Sequence, residues 1–333
     1  MSNFKHQEVM IKTESFERFE AFFFEEGPGL EWDCLFVLPS WLQIWWDVFG
    51  DGKTPGILTG YRRGELIGIA PLSVDGRTAT FIGKENVCDY QDMIVAPDDQ
   101  QYFFAAILTY LRTIGIRYLQ LGALRPDSTS LTTLSSTAEQ MGCGVTCDQV
   151  ATGYEMTLPR SWESYLYMLG GKQRHEIRRK LRRLDEAGDV RYRVITRPEE
   201  LPEHMDIFLS MFSASRPDKS EFMTDQMTSF FLSLAQRLAE RGWLRLSFLD
   251  IDRVPAAGVM CFDYNDTIFL YNSGYERRFR HLSTGLLSKV YSIKESIERK
   301  RRRYDLLKGN EVYKKRLGGT PVPLYHLYID LEG

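Results

Sequence analysis

The chain has 333 residues, which is more than one ordinary hydrophobic core needs and predicts two domains. Its formal net charge of −3 at pH 7 excludes a protein that binds nucleic acid through its overall charge, so such a role would require a local basic patch. The five cysteines have no framework spacing, and no apolar run approaches the roughly 20 residues of a membrane span.

The chain begins without the apolar segment of a signal peptide, so we expect a soluble, cytoplasmic protein with no membrane insertion. After a first helical stretch, Ser40 is predicted to cap a helix. Cys143 and Cys147 lack the further ligands of a zinc site, so no metal is expected. In chain order the predicted elements are helix 41–46, strands 56–61, 66–72, 79–82 and 92–95, with the last two as a pair, helix 102–114, strand 116–121 and helix 132–141.

The second half has a similar order of elements. We predict a linker over 150–159, followed by one long helix or a helix pair over 162–185. The further predicted elements are helices 205–212 and 224–241, strands 243–250, 256–264 and 267–273, helix 285–300 and strand 304–307.

The two halves align with each other. Residues 64–70 correspond to 253–259, each being a charged turn followed by a small, apolar strand. Likewise, helix 103–114 with its following strand corresponds to helix 286–297 with the strand at 303–305. An internal duplication explains this order better than chance. We therefore predict an N-terminal domain of residues 1–155 and a C-terminal domain of residues 156–333.

A basic helix is predicted over 172–184. Ile177, Leu181 and Leu184 share one face, and the remaining face is basic. That face either contacts phosphate, in a nucleotide or an RNA, or is simply solvated. Arg174 lies close to the start of the helix, where an anion would bind best, and is the candidate ligand contact.

The loop before the helix at 285 has the composition of a phosphate-binding turn. Ser283, Thr284 and Gly285 are small residues at a helix N-terminus, where free N–H groups and the helix dipole favour anions. Many helices begin in this way, so the pattern alone is not specific.

Two polar segments carry the remaining candidates. Asp305 lies in an apolar strand that is followed by a polar turn, a composition suited to proton transfer and charge stabilisation, or to a structural cap. In the first half, Asp89, Tyr90 and Asp92 form a comparable patch, which either faces a cleft or forms turns. Two carboxylates would repel a phosphate there, so we expect this half to shape the acceptor side and bind no second cofactor.

Taken in order, several segments resemble the CelD-like acetyltransferase group of the GNAT superfamily, which is related to the FemAB-like tandem-GNAT proteins. The segments that carry the resemblance are 39–46, 66–72, 81–83 with 89–92, 158–166, 172–188, 283–287 and 305–314. The resemblance implies an α/β (α+β) fold of two tandem GNAT-like domains, each with a mixed, mostly antiparallel central sheet flanked by helices. Acyl-CoA or acetyl-CoA would bind to the second domain as co-substrate.

The resemblance also assigns candidate residues. The superfamily's pyrophosphate motif corresponds to Arg280, Ser283, Thr284 and Gly285, with Ser283 in place of the first glycine of the motif. The usual general-base glutamate has no clear equivalent on strand 267–273. FemAB-like members place a Phe-Lys pair near the C-terminus against their substrate, and residues 313–314 stand at that place. The resulting prediction makes Asp305, Tyr313 and Lys314 catalytic, and Asp89, Tyr90, Asp92, Tyr275 and Glu311 contacts of the acceptor.

Three functions follow from these residues. The first is an N-acyltransferase in which a small-molecule or other amine-bearing acceptor attacks acyl-CoA directly in a ternary complex. The second is a FemAB-like ligase with an aminoacyl-tRNA donor, which the basic helix would bind. The third is a non-catalytic binding or scaffold protein that kept a degenerate GNAT fold.

Overall fold

The structure is a computed structural model that describes residues 9–25, 29–51, 54–83, 86–195 and 197–333. The first residues, on which the expected absence of a leader rests, lie outside these ranges. No helix of the described residues is long and apolar enough to cross a membrane.

The chain divides into two compact units, one of residues 1–151 with 323–333 and one of residues 152–322. The division lies close to the predicted boundary at 155, but residues 323–333, which the predicted second domain of 156–333 includes, lie in the first unit. The elements up to the division are β1 (Val9–Glu14), α1 (Phe16–Phe24), α2 (Pro39–Phe49), β2 (Thr54–Arg62), β3 (Glu65–Asp75), β4 (Thr78–Phe81), β5 (Ile94–Val95), α3 (Gln100–Thr113), β6 (Tyr118–Leu124), α4 (Ser135–Gln140) and β7 (Gly144–Thr157).

The elements after β7 belong to the second unit, apart from most of the last strand. They are α5 (Trp162–Met168), α6 (Gly171–Asp185), β8 (Val190–Ile195), α7 (Leu201–Ser215), α8 (Pro217–Phe222), α9 (Asp225–Glu240), β9 (Leu244–Ile251), β10 (Val254–Tyr264), β11 (Thr267–Tyr275), α10 (Thr284–Glu298), β12 (Arg303–Lys308), α11 (Val312–Arg316) and β13 (Thr320–Asp330). Short 3₁₀ turns precede α2, α3, α7 and α10, and a π-helical turn precedes α4.

Both units use the same strand arrangement. In the first unit, β2, β3 and β4 are antiparallel neighbours, and β4 pairs in parallel with β6. In the second unit, β9, β10 and β11 are antiparallel neighbours, and β11 pairs in parallel with β12. The predicted mixed, mostly antiparallel α/β fold is therefore confirmed.

Several sequence expectations need correction. The predicted linker over 150–159 is largely part of β7, a strand with many exposed polar side chains that pairs with β12. The strands predicted at 79–82 and 92–95 do not pair with each other, because β4 and β5 both pair with β3. Ser40 is not a cap but a buried residue inside α2, whose first residue is Pro39.

The second unit has apolar side chains on both faces of its sheet. Along β10, Val259 and Cys261 belong to the core cluster that includes residues of α5, α6 and α10. The alternate residue Gly258 faces Phe208 of α7, since a Cβ built at Gly258 would lie 3.0 Å from that ring. Helices therefore cover both faces of this sheet, which holds α10 and α7 in fixed positions relative to β11.

Candidate functional site

The candidate site is a pocket at the start of α10 in the second unit. Strands β11 and β12 are paired only from Thr267 with Arg303 to Phe269 with Asp305, although β11 continues to Tyr275. The pocket contacts the end of β11 that pairs with β10 but not with β12, and has a volume of ≈ 310 Å³. Its lining residues are Ser215, Arg216, Lys219, Ser273, Tyr275, Arg280, Ser283, Thr284, Gly285, Leu286, Lys289, Glu311 and Tyr313.

The turn into α10 is held by the backbone conformation of Ser283. This residue has φ 60° and ψ 32°, the left-handed conformation that glycine adopts at least cost. Its carbonyl oxygen accepts hydrogen bonds of 3.0 Å from the N–H groups of Leu286 and Leu287, and its hydroxyl accepts one of 2.7 Å from Nζ of Lys180 on α6. Serine thus adopts, at the first glycine position of the motif, a backbone conformation that glycine favours.

The first turn of α10 presents unused hydrogen-bond donors to the pocket. The N–H groups of Thr284 and Gly285 have no acceptor among the described residues. The Oγ1 atom of Thr284 is fully buried and also has no hydrogen-bond partner there. Buried polar groups are normally paired, so these groups mark a place where a ligand would supply acceptor atoms.

Gly285 is needed because of Tyr275. A Cβ atom built at Gly285 would lie 2.9 Å from Cδ1 of the Tyr275 ring. The ring therefore packs directly on the helix start, and both residues line the pocket. This contact brings the predicted acceptor residue Tyr275 and the predicted phosphate turn to one wall.

A buried lysine, Lys289, and a half-buried one, Lys219, give the pocket its electrostatic character. Nζ of Lys219 donates a 2.5 Å hydrogen bond to the carbonyl oxygen of Ser273, and Nζ of Lys289 donates a 2.7 Å hydrogen bond to that of Gly285. Lys289 is 6% exposed, and its ammonium lies 5.0 Å from the centre of the Tyr313 ring. Burial lowers the pKa of Lys289 to about 7 and that of Lys219 to about 8, and neighbouring positive charges add to both shifts.

The remaining charged groups of the lining leave an excess of positive charge. Arg216 is paired with Asp218, and Glu311 lies 3.2 Å from Nζ of Lys314. The guanidinium of Arg280 is exposed and has no ion pair with a described residue. A pocket with this balance favours a ligand that carries several negative charges.

Two predicted catalytic residues do not line this pocket. Asp305 is buried in β12, and its Oδ1 accepts a 2.8 Å hydrogen bond from the N–H of Leu307 at a bulge of the strand. Nζ of Lys314 is also buried and donates to the carbonyl oxygens of Leu307 and Lys308, at 3.0 and 2.6 Å. The geometry therefore connects both side chains to the end of β12, whereas Tyr313 and Glu311 reach the pocket.

Arg174 is placed differently from the prediction. It lies in the first turn of α6, but its guanidinium stacks 5.0 Å from the centre of the Tyr167 ring and is not part of the lining. The residue of α6 that reaches the phosphate turn is Lys180, through its bond to Ser283. The contact between this helix and the phosphate turn is therefore made six residues after Arg174, while the role of Arg174 as an anion contact stays a prediction.

The predicted acceptor residues of the first half belong to the first unit. Asp92 accepts hydrogen bonds from the N–H and hydroxyl groups of both Thr129 and Ser130, at 2.6–3.1 Å, and so holds the start of the π-helical turn. Tyr90 is buried against the ring of Phe36. Asp89 is partly exposed in the same segment. These contacts account for Asp92 and Tyr90 as parts of the first unit's own structure.

The sequence reasoning missed the two lysines. Lys289 occupies a helix with an apolar face, and only its buried neighbours Val290 and Ile293 suggest that a charge there is unusual. Lys219 lies in the short helix α8, which the sequence analysis did not identify. A basic residue inside an otherwise apolar helix stretch was the one available signal.

Comparisons with known proteins identify the type of domain. Residues 171–315 match the family described as an acetyltransferase (GNAT) domain, a segment that includes the whole pocket lining. None of the curated protein sequences matches the chain. This segment of the second unit is therefore similar to GNAT acetyltransferase domains.

Solved structures agree in fold over nearly the whole chain. FemX is 12% identical, with a TM-score of 0.65 over 96% of both chains. A tandem GNAT protein from the clavulanic acid biosynthesis pathway is 13% identical, with a TM-score of 0.52 over 96% of this chain and 98% of that one. L-PGS from Bacillus licheniformis is 9% identical, with a TM-score of 0.56 over 86% and 90%. The resemblance to the GNAT superfamily and its FemAB-like tandem members is confirmed, and the narrower CelD-like placement stays a prediction.

Proposed function

We propose that the chain is an N-acyltransferase that moves an acyl group from acyl-CoA to an amine. The observation that carries this proposal is the start of α10, where unused N–H groups, the unpartnered hydroxyl of Thr284 and unpaired cations share one pocket of a GNAT domain. Such a site suits the pyrophosphate of CoA. The first unit would then serve the acceptor side, as predicted for residues 1–155.

The reaction needs few groups from the protein. The neutral amine attacks the thioester carbonyl, the C–N bond forms, the C–S bond breaks, and the leaving thiolate takes up a proton while the amine loses one. Tyr313 lines the pocket and is the group we assign to protonate the thiolate. We assign Asp305 and Lys314 to holding the β12–α11 turn that positions Tyr313.

The test combines binding with turnover on the full chain. We expect acetyl-CoA or a longer acyl-CoA to raise the melting temperature, and a panel of amines to give release of free CoA thiol. Tyr313→Phe should lower kcat by about tenfold or more with little change in KM. Tyr167→Phe is the control, since Tyr167 is 70% exposed and does not line the pocket. Absence of both binding and thiol release would remove the proposal and favour a non-catalytic role.

A second candidate keeps the pocket but changes the donor to an aminoacyl-tRNA, as the FemAB-like resemblance implies. Helix α6 buries Ile177 and Leu184 and exposes Lys172, Arg178 and Arg183, which have no ion pair with a described residue. The bond from Lys180 of α6 to the phosphate turn brings this helix close to the pocket, which supports this candidate. Binding of tRNA that weakens steeply with salt and is lost on changing these three cations to Gln would favour this candidate over acyl-CoA.

A further inference from the structure

Lys289, which is buried, and Lys219, which is half-buried, lack the partners that an ammonium removed from water normally has. An ammonium has three donors, yet the hydrogen bonds seen for Lys219 and Lys289 go to one backbone carbonyl each. Neither forms an ion pair with a carboxylate of the described residues. A buried charge of this kind is costly unless something else compensates it.

The surroundings increase that cost. Arg216 adds a positive charge near Lys219, while Lys314 adds one near Lys289. The opposing charge near Lys219 comes from Asp218, which is already paired with Arg216, and from Glu311, which is already paired with Lys314. Near Lys289 it comes from Glu311 and from the buried thiol Cys261 when it ionises. Burial raises the pKa of that thiol to about 11, so it stays neutral near pH 7.

We propose that Lys219 and Lys289 form a paired-lysine site that binds a phosphate or pyrophosphate group of the ligand. The site lies beside the unused N–H groups of Thr284 and Gly285, so one ligand group of at least two negative charges engages all four residues. The assignment of that group to the donor's pyrophosphate rests on the proposed acyl-CoA function. The assignment of the site to a phosphate does not.

Two consequences distinguish this site from a merely structural pair. Without ligand, the lysines oppose folding, so removing one ammonium while keeping its apolar stem makes the empty protein more stable. With ligand, the same change weakens binding. Bound phosphate also favours the charged lysines, so affinity is greatest where both are protonated and falls as the pH rises above about 7 to 8.

The experiment uses the full chain and the variants Lys289→Met and Lys219→Met. Lys294→Met is the control, because Lys294 lies on the same helix, its side chain is 43% exposed and it pairs with Glu298. The probes are CoA, inorganic pyrophosphate and pantetheine, with affinities from calorimetry at pH 6.5 to 9 and melting temperatures without ligand. We expect each pocket variant to weaken CoA and pyrophosphate by about tenfold or more, and to raise the melting temperature of the empty protein. Pantetheine, which lacks phosphate, should bind all forms equally weakly.

The outcomes separate the site from the proposed function. Unchanged CoA and pyrophosphate affinity in both pocket variants, or a lower melting temperature of both empty variants, would overturn the paired-lysine site even if acyl transfer is observed. Lysine-dependent binding of pyrophosphate without any acyl-CoA binding would uphold the site and contradict the proposed function. Competition between pyrophosphate and CoA supports a donor phosphate, while lysine-dependent binding of both together supports a phosphate on the acceptor.

Discussion

Replacing Gly274 by alanine should open the pocket by forcing α7 away from β11. A Cβ atom at this position would lie 2.5 Å from the backbone N of Phe212 and 2.6 Å from the carbonyl carbon of Met211. Both are backbone atoms, so no side-chain rotation relieves the contact, and the helix must move. Forcing extra atoms into a packed interior costs about 1–3 kcal/mol, which corresponds to roughly 2–4 °C in Tm for each kcal/mol in a unit of this size.

The same movement should affect binding, because the C-terminal end of α7 carries Ser215 and is followed by Arg216 and Lys219 of the pocket lining. We therefore expect Gly274→Ala to lower both Tm and CoA affinity. Gly171→Ala is the matched control, since it lies at the start of α6 with nothing within 4 Å, and should stabilise the protein by up to about 1 kcal/mol. Thermal unfolding and calorimetry on both variants decide the matter. A Gly274→Ala protein with unchanged Tm would refute the close approach of α7 to β11.

Three further changes test separate parts of the structure. Thr284→Val removes an unpaired buried hydroxyl, so the empty protein should be as stable or more stable while CoA affinity drops about tenfold; equal affinity by calorimetry would contradict a ligand contact. Ser283→Gly relieves a left-handed residue but loses the bond from Lys180, so thermal unfolding should show a change below about 1 kcal/mol and CoA should still bind; loss of binding would show that the serine is required. Asp92→Asn replaces one acceptor oxygen by an NH₂ donor that faces the N–H of Thr129 or of Ser130. Chemical denaturation should show a loss of about 1–3 kcal/mol of stability, and CoA affinity should not change. A loss of affinity without a loss of stability would support the predicted role of Asp92 in binding the acceptor.

Local sequence patterns were sufficient to predict most helices and the strands at the centre of each sheet. Helix α9 shows why, because Thr224 caps it by accepting a hydrogen bond from the N–H of Met227 and Gly242 follows its end with φ 71°. These signals act within a few residues of the element they define. The pairing of strands that are distant in sequence has no such local signal. Strands 79–82 and 92–95 were therefore predicted to pair with each other, whereas β4 and β5 both pair with β3.

Strand β7 illustrates the opposite failure. Its polar, glycine-containing sequence resembles a linker, yet it pairs with β12 from Thr157 to Gly153. An exposed strand takes its stability from the ladder of a neighbour that lies far along the chain, and composition alone does not reveal that neighbour. The same reason explains why β13, which pairs with β6 of the first unit, was not predicted from the sequence.

The site was predictable where it follows a motif and not where it depends on packing. The phosphate turn came from the spacing of Arg280 to Gly285, whereas Lys289 becomes part of the pocket only because α10 is set against Tyr313 of a later helix. A helix that served packing alone would gain stability from an apolar residue at Lys289. The other buried residues of α10 are apolar or small and polar. Lys289, a charged residue without a carboxylate partner, differs from all of them. Such local violations are expected where function, rather than stability, determines the residue. The buried Lys289 therefore marks the pocket more specifically than the helix start does, since helix starts of this composition are common and buried ammonium groups without a carboxylate partner are rare.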